Sequence, residues 1–411
     1  MQIEGENMAK NKVIVVGGGA SGIFSAIVAA KNGSQVTILE RNPRIGKKIL
    51  ATGNGRCNYT NTLTSQNDYN HPDFAAKALQ SFGPKVTIDF FDQLGITAKF
   101  EEEGKTYPLS EQASSFLDVF MYQLDALNID VVCNAHVQNI LKNKSTFSVV
   151  LQDKTEYKAD KVILCTGGKA MPSSGSDGLG YPIARKLGHH VTTIFPALVK
   201  LKLDYPYLKQ MDGVKISSIV QLIHQKKVIQ EEKGDILFTS YGISGPTILQ
   251  LSRKVNELLL QHEKVHLNVI LINSLSREEI TQRFKNSMDK PVDFSLVGLI
   301  NKKLISALLK EAKIEKQNTI LSQLKDEEIK RIIDLLFNWE FKVLGSKGFE
   351  DAQVTAGGID VNEINSMTME SKLVSGLYLA GEVIDIDGPC GGYNLQWAWS
   401  SGYVAGVNAS R

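Results

Sequence analysis

The chain has 411 residues, and its 46 lysines and arginines nearly balance its 44 aspartates and glutamates, leaving a net charge of +2. This length exceeds that of an ordinary domain, about 100 to 200 residues, so two or three domains are expected. The balanced charge and a hydrophobic fraction of 43% exclude a disordered chain and a protein whose main task is to coat nucleic acid.

Glycine is distributed unevenly along the chain. Of 34 glycines, 18 lie in the first 190 residues and nine lie in residues 353–411, whereas residues 200–350 contain only seven. Turns that bind phosphate need glycine because the backbone must approach the ligand closely. The pattern therefore predicts ligand-binding segments at both ends of the chain and an inserted module between them.

The first elements in chain order form a nucleotide-binding pattern. A β-branched strand at residues 12–16 runs into the turn G-x-G-x-x-G at residues 17–22, and a helix rich in small residues follows at 21–32. A second strand at residues 35–39 ends at Glu40. Strand, glycines, helix, strand and acid in this order predict the dinucleotide-binding βαβ unit.

Each part of this pattern has a mechanical task. Gly17 makes the tight turn, Gly19 lets the backbone approach a pyrophosphate, and Gly22 lets the helix pack on the strand. Glu40 can accept hydrogen bonds from ribose hydroxyls and would repel a 2′-phosphate, so FAD or NAD is favoured over NADP. The predicted cofactor contacts in this unit are Gly17, Gly19, Ala20, Ser21, Gly22 and Glu40.

A cationic, glycine-rich loop follows at residues 41–48 and 52–58. Its backbone amides and positive charges can lie along a diphosphate and a flavin, which favours FAD; the alternative is a solvated basic loop. The predicted cofactor contacts here are Arg41, Lys47, Gly53, Asn54, Gly55, Arg56 and Cys57.

Two later strands also end in glycine. The strand at residues 161–164 leads into Cys-Thr-Gly-Gly, and the strand at 376–379 leads into Gly-Glu and then a helix that runs from about residue 393 to Val407. The amino end of that helix would direct its amides at the N1/O2 edge of a reduced flavin. The predicted contacts are Thr166, Gly167, Gly168, Gly381, Glu382, Asp387, Gly391, Gly392, Tyr393, Asn394 and Leu395.

Six segments together carry a family resemblance: GGGASG from Gly17, GKKILATGNGRCNYTN from Gly46, CTGG from Cys165, LFTSYGISGP from Leu237, QVTAGGID from Gln353, and residues 368–402. Over nearly its whole length the chain resembles the NAD(FAD)-utilising dehydrogenases, or aminoacetone oxidase-like flavoproteins, a family that includes BaiN-type reductases.

The resemblance implies bound FAD and an α/β fold, in which a discontinuous Rossmann-like FAD-binding domain carries an inserted β-barrel-like part and a helical part. It further implies that Val137 pairs its backbone with the adenine. With the glycine distribution, this predicts an FAD-binding domain at residues 1–193 and 345–411, a barrel-like domain at 194–273 and a helical region at 274–344.

The leading functional hypothesis is an FAD-dependent oxidoreductase that transfers hydride between flavin N5 and a small organic substrate, in the manner of an amine oxidase with oxygen as acceptor. An NAD(P)H-dependent reductase of an unsaturated ketone is the alternative. A second G-x-G-x-x-G is absent from the sequence, so NAD(P)H would bind without its own Rossmann domain. No catalytic residue is assigned.

A hypothesis of another class is an FAD-containing protein that binds RNA or a protein partner. Lysines in the helical region, such as Lys302, Lys303, Lys310 and Lys313, could contact a phosphate backbone, but acidic residues lie among them. A solvated face of mixed charge is therefore the preferred interpretation, and no nucleic acid is expected.

Cysteine usage and the apolar runs bear on location. Cys57, Cys133, Cys165 and Cys390 show neither C-x-x-C nor metal-ligand spacing, which predicts a reducing compartment and no metal site. A flavin–dithiol relay through Cys57 and Cys390 is the less favoured alternative. No signal-peptide pattern begins the chain and no apolar run reaches about 18 residues, so we expect a cytoplasmic protein that does not enter the membrane.

Overall fold

The computed structural model describes residues 11–411, which contain nineteen strands and twelve α-helices. The strands are β1 (Lys12–Val16), β2 (Gln35–Leu39), β3 (Thr60–Asn61), β4 (Ala98–Phe100), β5 (Lys105–Pro108), β6 (Asp130–Val132), β7 (Val137–Asn143), β8 (Thr146–Leu151), β9 (Glu156–Ala159), β10 (Lys161–Leu164), β11 (Phe195–Ala197), β12 (Leu201–Asp204), β13 (Lys215–His224), β14 (Lys227–Thr239), β15 (Gly242–Ser244), β16 (Val265–Ile270), β17 (Trp339–Ser346), β18 (Val354–Ala356) and β19 (Leu377–Leu379). The helices are α1 (Ala20–Lys31), α2 (Pro72–Ser81), α3 (Pro84–Gln93), α4 (Ser114–Ala126), α5 (Gly180–Lys186), α6 (Leu208–Met211), α7 (Pro246–Leu260), α8 (Arg277–Lys285), α9 (Val292–Leu296), α10 (Lys302–Glu311), α11 (Asp326–Phe337) and α12 (Tyr393–Ala409).

The chain divides into two compact units. The first comprises residues 11–195 and 354–411 of the described chain, and the second comprises residues 196–353. Each unit has its own cluster of buried apolar side chains. The chain therefore leaves the first unit after Phe195 and returns to it at Val354, close to the places where the sequence analysis puts the ends of the insertion.

The first unit is built on a five-stranded sheet in the order β19-β10-β1-β2-β6, with the adjacent strands parallel. In β1, the four residues from Val13 to Val16 are all buried, as expected for a parallel strand covered on both faces. This arrangement confirms the predicted α/β, Rossmann-like fold class.

Helix α12 packs closely on α1 because small residues lie at the contact. A Cβ atom added at Gly402 would lie 3.0 Å from the Ser21 carbonyl oxygen, and one at Gly406 would lie 2.7 Å from that of Ser25. Trp399 lies on the same face of α12 as these glycines and is buried, and its ring contacts those of phenylalanines in α1 and α3. This tryptophan therefore belongs to the core.

Two smaller sheets complete the first unit. Strands β7, β8 and β9 form an antiparallel sheet that begins near the predicted adenine contact, Val137. Strands β3, β5 and β4 form another, in which Asn61 lies opposite Lys105 and Thr60 lies opposite Thr106.

The second unit contains a closed barrel in the order β12-β15-β14-β13-β16-β17, and helices α8 to α11 lie between β16 and β17 in sequence. The barrel-like and helical parts of the insertion are thus confirmed, but the predicted boundary between residues 344 and 345 is wrong, because it falls inside β17. The residues of β17 alternate between buried and exposed from Trp339 to Leu344, which is the period of a strand. In the sequence, the apolar spacing of the preceding helix continues into this segment and conceals the closing strand.

Within residues 11–411, no helix is both long and apolar enough to cross a bilayer.

The separate cores lead to a prediction about the second unit. Replacing residues 196–353 by a short glycine–serine linker between Phe195 and Val354 should leave a folded protein that retains FAD, because every predicted cofactor motif lies in the first unit. The flavin absorbance of the purified protein and its thermal unfolding with and without added FAD measure this, with the full chain as control. A colourless or aggregated product would show that the insertion is needed for the cofactor site.

Candidate functional site

The glycines of the turn after β1 serve two different purposes. A Cβ atom at Gly17 would lie 2.4 Å from the Cys165 carbonyl oxygen, and one at Gly22 would lie 1.8 Å from the Gly17 carbonyl oxygen. At Gly19 an added Cβ would have no neighbour within 4 Å. Gly17 and Gly22 are therefore required by backbone packing, whereas Gly19 borders open space at the amino end of α1.

No side chain caps the amino end of α1, since the N-cap residue is Gly19 itself. The first amides of a helix have no intrahelical acceptor, and together with the helix dipole they attract an anion. The open space at Gly19 is therefore suited to a diphosphate. Ser21 lies in this first turn but is buried, and its hydroxyl points to the Ala380 carbonyl oxygen at 3.4 Å.

Glu40 lies at the end of β2 and is 7% exposed. Its Oε2 atom accepts a hydrogen bond from the Gly18 amide at 2.7 Å, and Oε1 accepts from the Asn42 amide and side chain at 2.7 and 2.8 Å. A carboxylate offers about four acceptor positions, so one remains for a ribose hydroxyl. The same side chain thus holds the glycine turn in place and retains capacity for a ligand.

The backbone next to Glu40 leads to the predicted adenine contact. The Glu40 amide donates to Val132 at 2.9 Å, and the Ala135 amide donates to the Glu40 carbonyl oxygen at 2.8 Å. The chain then enters β7 at Val137, which is half-buried against the core. Val137 therefore follows closely on the segment that pairs with the end of β2.

Two of the basic side chains after Glu40 bond to protein groups. Arg41 pairs with Asp177, and Lys47 donates to the Ser173 carbonyl oxygen at 2.6 Å. Asn42 donates to the Ser174 carbonyl oxygen at 3.0 Å. The loop at residues 173–177 was not among the predicted parts of this site; serines and an aspartate beside glycines are the signal that the sequence offers for it.

The next loop has an unusual backbone. Gly53, Asn54, Gly55 and Cys57 all have left-handed φ angles, of 56°, 56°, 85° and 61°. This conformation turns the chain tightly, and the amides at the end of the loop bond carbonyl oxygens of the loop itself at 3.2 and 3.0 Å. The Arg56 side chain is used elsewhere, since it lies 4.1 Å from the centre of the Tyr107 ring and bonds Glu101 at 2.8 Å.

Cys57 faces the core, so its side chain is not a cofactor contact. Burial raises the pKa of its thiol to about 12, and burial also raises the pKa of the Cys390 thiol. None of the four cysteines forms a disulfide. Because a relay needs an accessible thiolate, this geometry argues against a flavin–dithiol relay.

Two hydroxyls near the end of β10 lack partners. Thr166 follows the strand beside the Gly17 turn, and a Cβ atom at Gly167 would lie 3.0 Å from Ser176 Oγ. Within residues 11–411, Thr166 Oγ1 and Ser176 Oγ are buried without a hydrogen-bond partner. Buried hydroxyls normally bond to something, so a ligand with polar atoms fits beside them.

Gly168 serves packing, because a Cβ atom there would lie 2.4 Å from Thr355 Oγ1. Thr355 accepts hydrogen bonds from the Lys169 and Ala170 amides at 2.7 and 2.9 Å. Its own amide donates to Glu382 Oε1 at 2.8 Å. The segment around Thr355 carries part of the family resemblance, but no site residue was predicted in it.

Glu382 has two partners: the Thr355 amide bonds its Oε1 atom, and Lys48 bonds its Oε2 atom at 2.8 Å. The residue before it, Gly381, has φ +80°, and a Cβ atom there would lie 2.4 Å from Ser21 Oγ. The Gly381 carbonyl oxygen accepts a hydrogen bond from Trp397 Nε1 at 3.1 Å. Gly381 and Glu382 therefore join the carboxy-terminal segment to α1 and to the basic loop.

The carboxy-terminal glycines begin α12 as predicted. Gly392 is its N-cap with φ +103°, and a Cβ atom there would lie 2.4 Å from the Thr60 carbonyl oxygen. The first intrahelical bond runs from the Gln396 amide to the Gly392 carbonyl oxygen at 2.9 Å. The amides of Tyr393, Asn394 and Leu395 precede it, so they have no acceptor within the helix.

The polar side chains around this helix start hold the loop. Asn394 exchanges hydrogen bonds with Gly388 at 2.9 and 2.8 Å and donates to Pro389 at 3.1 Å. Asp387 is 2% exposed, and its amide bonds Asn70 Oδ1 at 2.9 Å. The groups left for a ligand at this end are therefore mainly backbone amides.

The contrast between two glycines gives a direct test. Gly19→Ala should fold normally but weaken FAD binding about tenfold or more, roughly 1.4 kcal/mol, because the added methyl group would enter the space for the diphosphate. Gly22→Ala should instead lower the free energy of unfolding of the apoprotein by about 1 to 3 kcal/mol through overpacking. FAD titration and denaturant unfolding of the apoproteins separate the two effects. A Gly19→Ala protein with unchanged FAD affinity would contradict this assignment.

A second test concerns the ribose contact. Glu40→Ala should weaken FAD binding by about 1.5 to 3 kcal/mol, because a hydrogen bond to a charged acceptor is lost. Glu257→Ala, which removes an ion-paired carboxylate from α7, is the matched control and should bind FAD as the native protein does. Equal FAD affinities in the two variants would show that Glu40 only supports the turn.

Known proteins with similar sequences show which family the chain resembles. The family model described as "HI0933-like protein Rossmann domain" matches residues 11–408. A 3-dehydro-bile acid delta(4,6)-reductase of Clostridium scindens is 38% identical over 409 residues, which cover 97% of this chain and 99% of that protein. A ribosomal RNA dihydrouridine synthase of Haemophilus influenzae is 32% identical over 407 residues, which cover 97% of this chain and 98% of that protein.

Among solved structures, the quinol fumarate reductase subunit FrdA of E. coli has a TM-score of 0.50 at 13% identity, covering 97% of this chain and 70% of that chain, and it shows the fold alone. The resemblance found in the motifs is confirmed for the family, the cofactor is FAD, and the protein is an FAD-dependent oxidoreductase. The chain belongs to the HI0933-like family of Rossmann-domain flavoproteins.

Proposed function

We propose that the protein is an NAD(P)H-dependent reductase of small organic molecules in which a carbon–carbon double bond is conjugated to a carbonyl group. The observation that carries the proposal is the similarity to the bile acid reductase, at 38% identity over nearly the full length of both chains. The name of that relative describes reduction of a 3-oxo compound with double bonds at positions 4 and 6. The present chain is proposed to share this class of chemistry, with the substrate itself left open.

The residues of the first unit would hold the cofactor in three places. The amide groups at the start of α1, with Gly19, would bind the diphosphate, and Glu40 would accept from the adenosine ribose. The amides of Tyr393 to Leu395 would face the N1/O2 edge of the flavin. When bound, FAD supplies the hydride chemistry itself.

The chain's contribution to the reaction would then be alignment and electrostatics. Amides fixed at the start of α12 need not reorganise when negative charge develops beside them, which stabilises the charged state at little cost. Cys57 and Cys390 would stay protonated and outside the electron path, because burial raises the pKa values of both thiols.

An RNA substrate is the alternative of another class, which the names of the dihydrouridine synthase relatives raise. Two lysines that could have contacted RNA have protein partners. Lys303 donates to the Asp212 carbonyl oxygen at 3.1 Å, and Lys310 bonds Gln210 at 3.2 Å and lies 5.0 Å from the centre of the Tyr207 ring. These contacts give no support to a basic surface, so a small molecule is preferred.

Anaerobic flavin spectroscopy tests the proposal. NADH or NADPH should bleach the flavin of the purified protein, and a 3-oxo steroid with a 4,6-diene should restore its colour, while the saturated 3-oxo steroid should not. A uridine-containing RNA offered in place of the steroid examines the alternative. Bleaching by an amine, with colour restored only by oxygen, would refute the reductase and support the amine oxidase hypothesis.

A further inference from the structure

An ion pair outside all the cofactor motifs lies beside the start of α12. Lys105 begins β5, and its Nζ atom bonds Glu103 Oε2 at 2.6 Å. A Cβ atom added at Gly391 would lie 3.6 Å from Lys105 Cε and 3.7 Å from Asn61 Nδ2. The lysine side chain therefore passes directly over the glycine that precedes the N-cap of α12.

The position of the pair is fixed by the small sheet. Asn61 lies opposite Lys105 in the antiparallel pairing of β3 with β5, so the two side chains share one face. The Asn61 side chain donates to the Gly391 carbonyl oxygen and to the Glu103 carbonyl oxygen, both at 2.9 Å. The side-chain amide of Asn61 thus joins the backbone of Glu103 to the backbone of Gly391, just before α12.

The charges around Gly391 can be assigned. Burial alone would lower the pKa of Lys105, but the hydrogen bond to the Glu103 carboxylate and its negative charge raise the pKa above its ordinary value, so the ammonium stays charged at neutral pH. Burial raises the pKa values of Tyr107 and Cys390, and both stay neutral. The pair therefore places one cation, one-third exposed, beside Gly391, together with one carboxylate, Glu103, that is 76% exposed. Asp68 is a further negative group near Tyr393.

We propose that Lys105 and Glu103 form an electrostatic pair that sets the reduction potential of the bound flavin. The inference rests on the proposed placement of the N1/O2 edge at the amides of Tyr393 to Leu395. Reduction by hydride adds two electrons and one proton, so this edge gains one negative charge. Because its side chain passes beside Gly391, Lys105 brings its cation close to that charge, whereas water screens the exposed Glu103 carboxylate. Lys105 favours the reduced state, and Glu103 weakens its effect.

The two members of the pair should therefore shift the potential in opposite directions. In Lys105→Gln, the preference of the protein for reduced over oxidised FAD should fall about tenfold, which lowers the two-electron potential by about 30 mV. In Glu103→Gln it should rise severalfold, because the cation is no longer partly neutralised. Spectroelectrochemical titration of the purified holoproteins measures the potentials, and titration of each apoprotein with oxidised FAD shows whether binding itself is altered.

Lys99→Gln is the matched control. Lys99 lies in the same small sheet but pairs with Glu111 and, at 3.6 Å, with Glu101, so its removal should leave the potential within a few millivolts of the native value. Lys105→Arg keeps the charge and should also stay near the native potential. Because Glu103 is mostly exposed, Glu103→Gln keeps the test valid even if Lys105→Gln folds poorly.

Potentials that are equal in the native protein, Lys105→Gln and Glu103→Gln would overturn the inference, as would equal shifts in Lys105→Gln and Lys99→Gln. Failure of the proposed cofactor placement gives a different result. In that case Gly19→Ala and Glu40→Ala would bind FAD as tightly as the native protein does. Weakened FAD binding in those two variants, with no effect of Lys105→Gln on the potential, refutes the role of Lys105 alone.

Discussion

The site depends on one close approach, between the amino end of α1 and the ends of β1 and β10. Atoms of the backbone at Gly22, Gly17 and Cys165 come so near that no side chain larger than hydrogen fits between them. This contact fixes the direction in which the first amides of α1 point. Gly402 and Gly406 of α12 then pack on the same helix, so the two ends of the chain are aligned on a single element.

The sequence predicted the parts of the site that local geometry determines. Both strands and the helix of the βαβ unit, its glycine spacing and the start of α12 follow from neighbouring residues, and the structure contains them where expected. The residues that complete the site could not be found in this way. Arg41 and Asp177 are separated by 136 positions and Lys48 and Glu382 by 334, and a charge run does not reveal which distant carboxylate it meets.

In the insertion, too, a contact between distant parts of the chain could not be predicted from local sequence. A barrel closes only when its last strand pairs with its first, and here β17 pairs with β12 across the whole helical region. Alternation of buried and exposed residues in β17 is a local signal, but it follows directly on the amphipathic helix α11, whose apolar pattern runs into it. Long-range pairing, rather than propensity, therefore decided where the helical region ends.

Most polar side chains in the cofactor loops bind the protein itself. Glu40, Glu382 and Asn394 are engaged by backbone amides or by neighbouring side chains. What remains for a ligand is one acceptor position on Glu40, amide groups, and unpartnered hydroxyls such as Thr166 Oγ1. Hydride transfer asks the protein for alignment and electrostatic tuning, which fixed amides provide without titrating. Sequence motifs can therefore identify the cofactor while assigning no catalytic residue. For the same reason a residue such as Lys105, which acts through its charge and belongs to no motif, becomes visible only when the fold brings it beside Gly391.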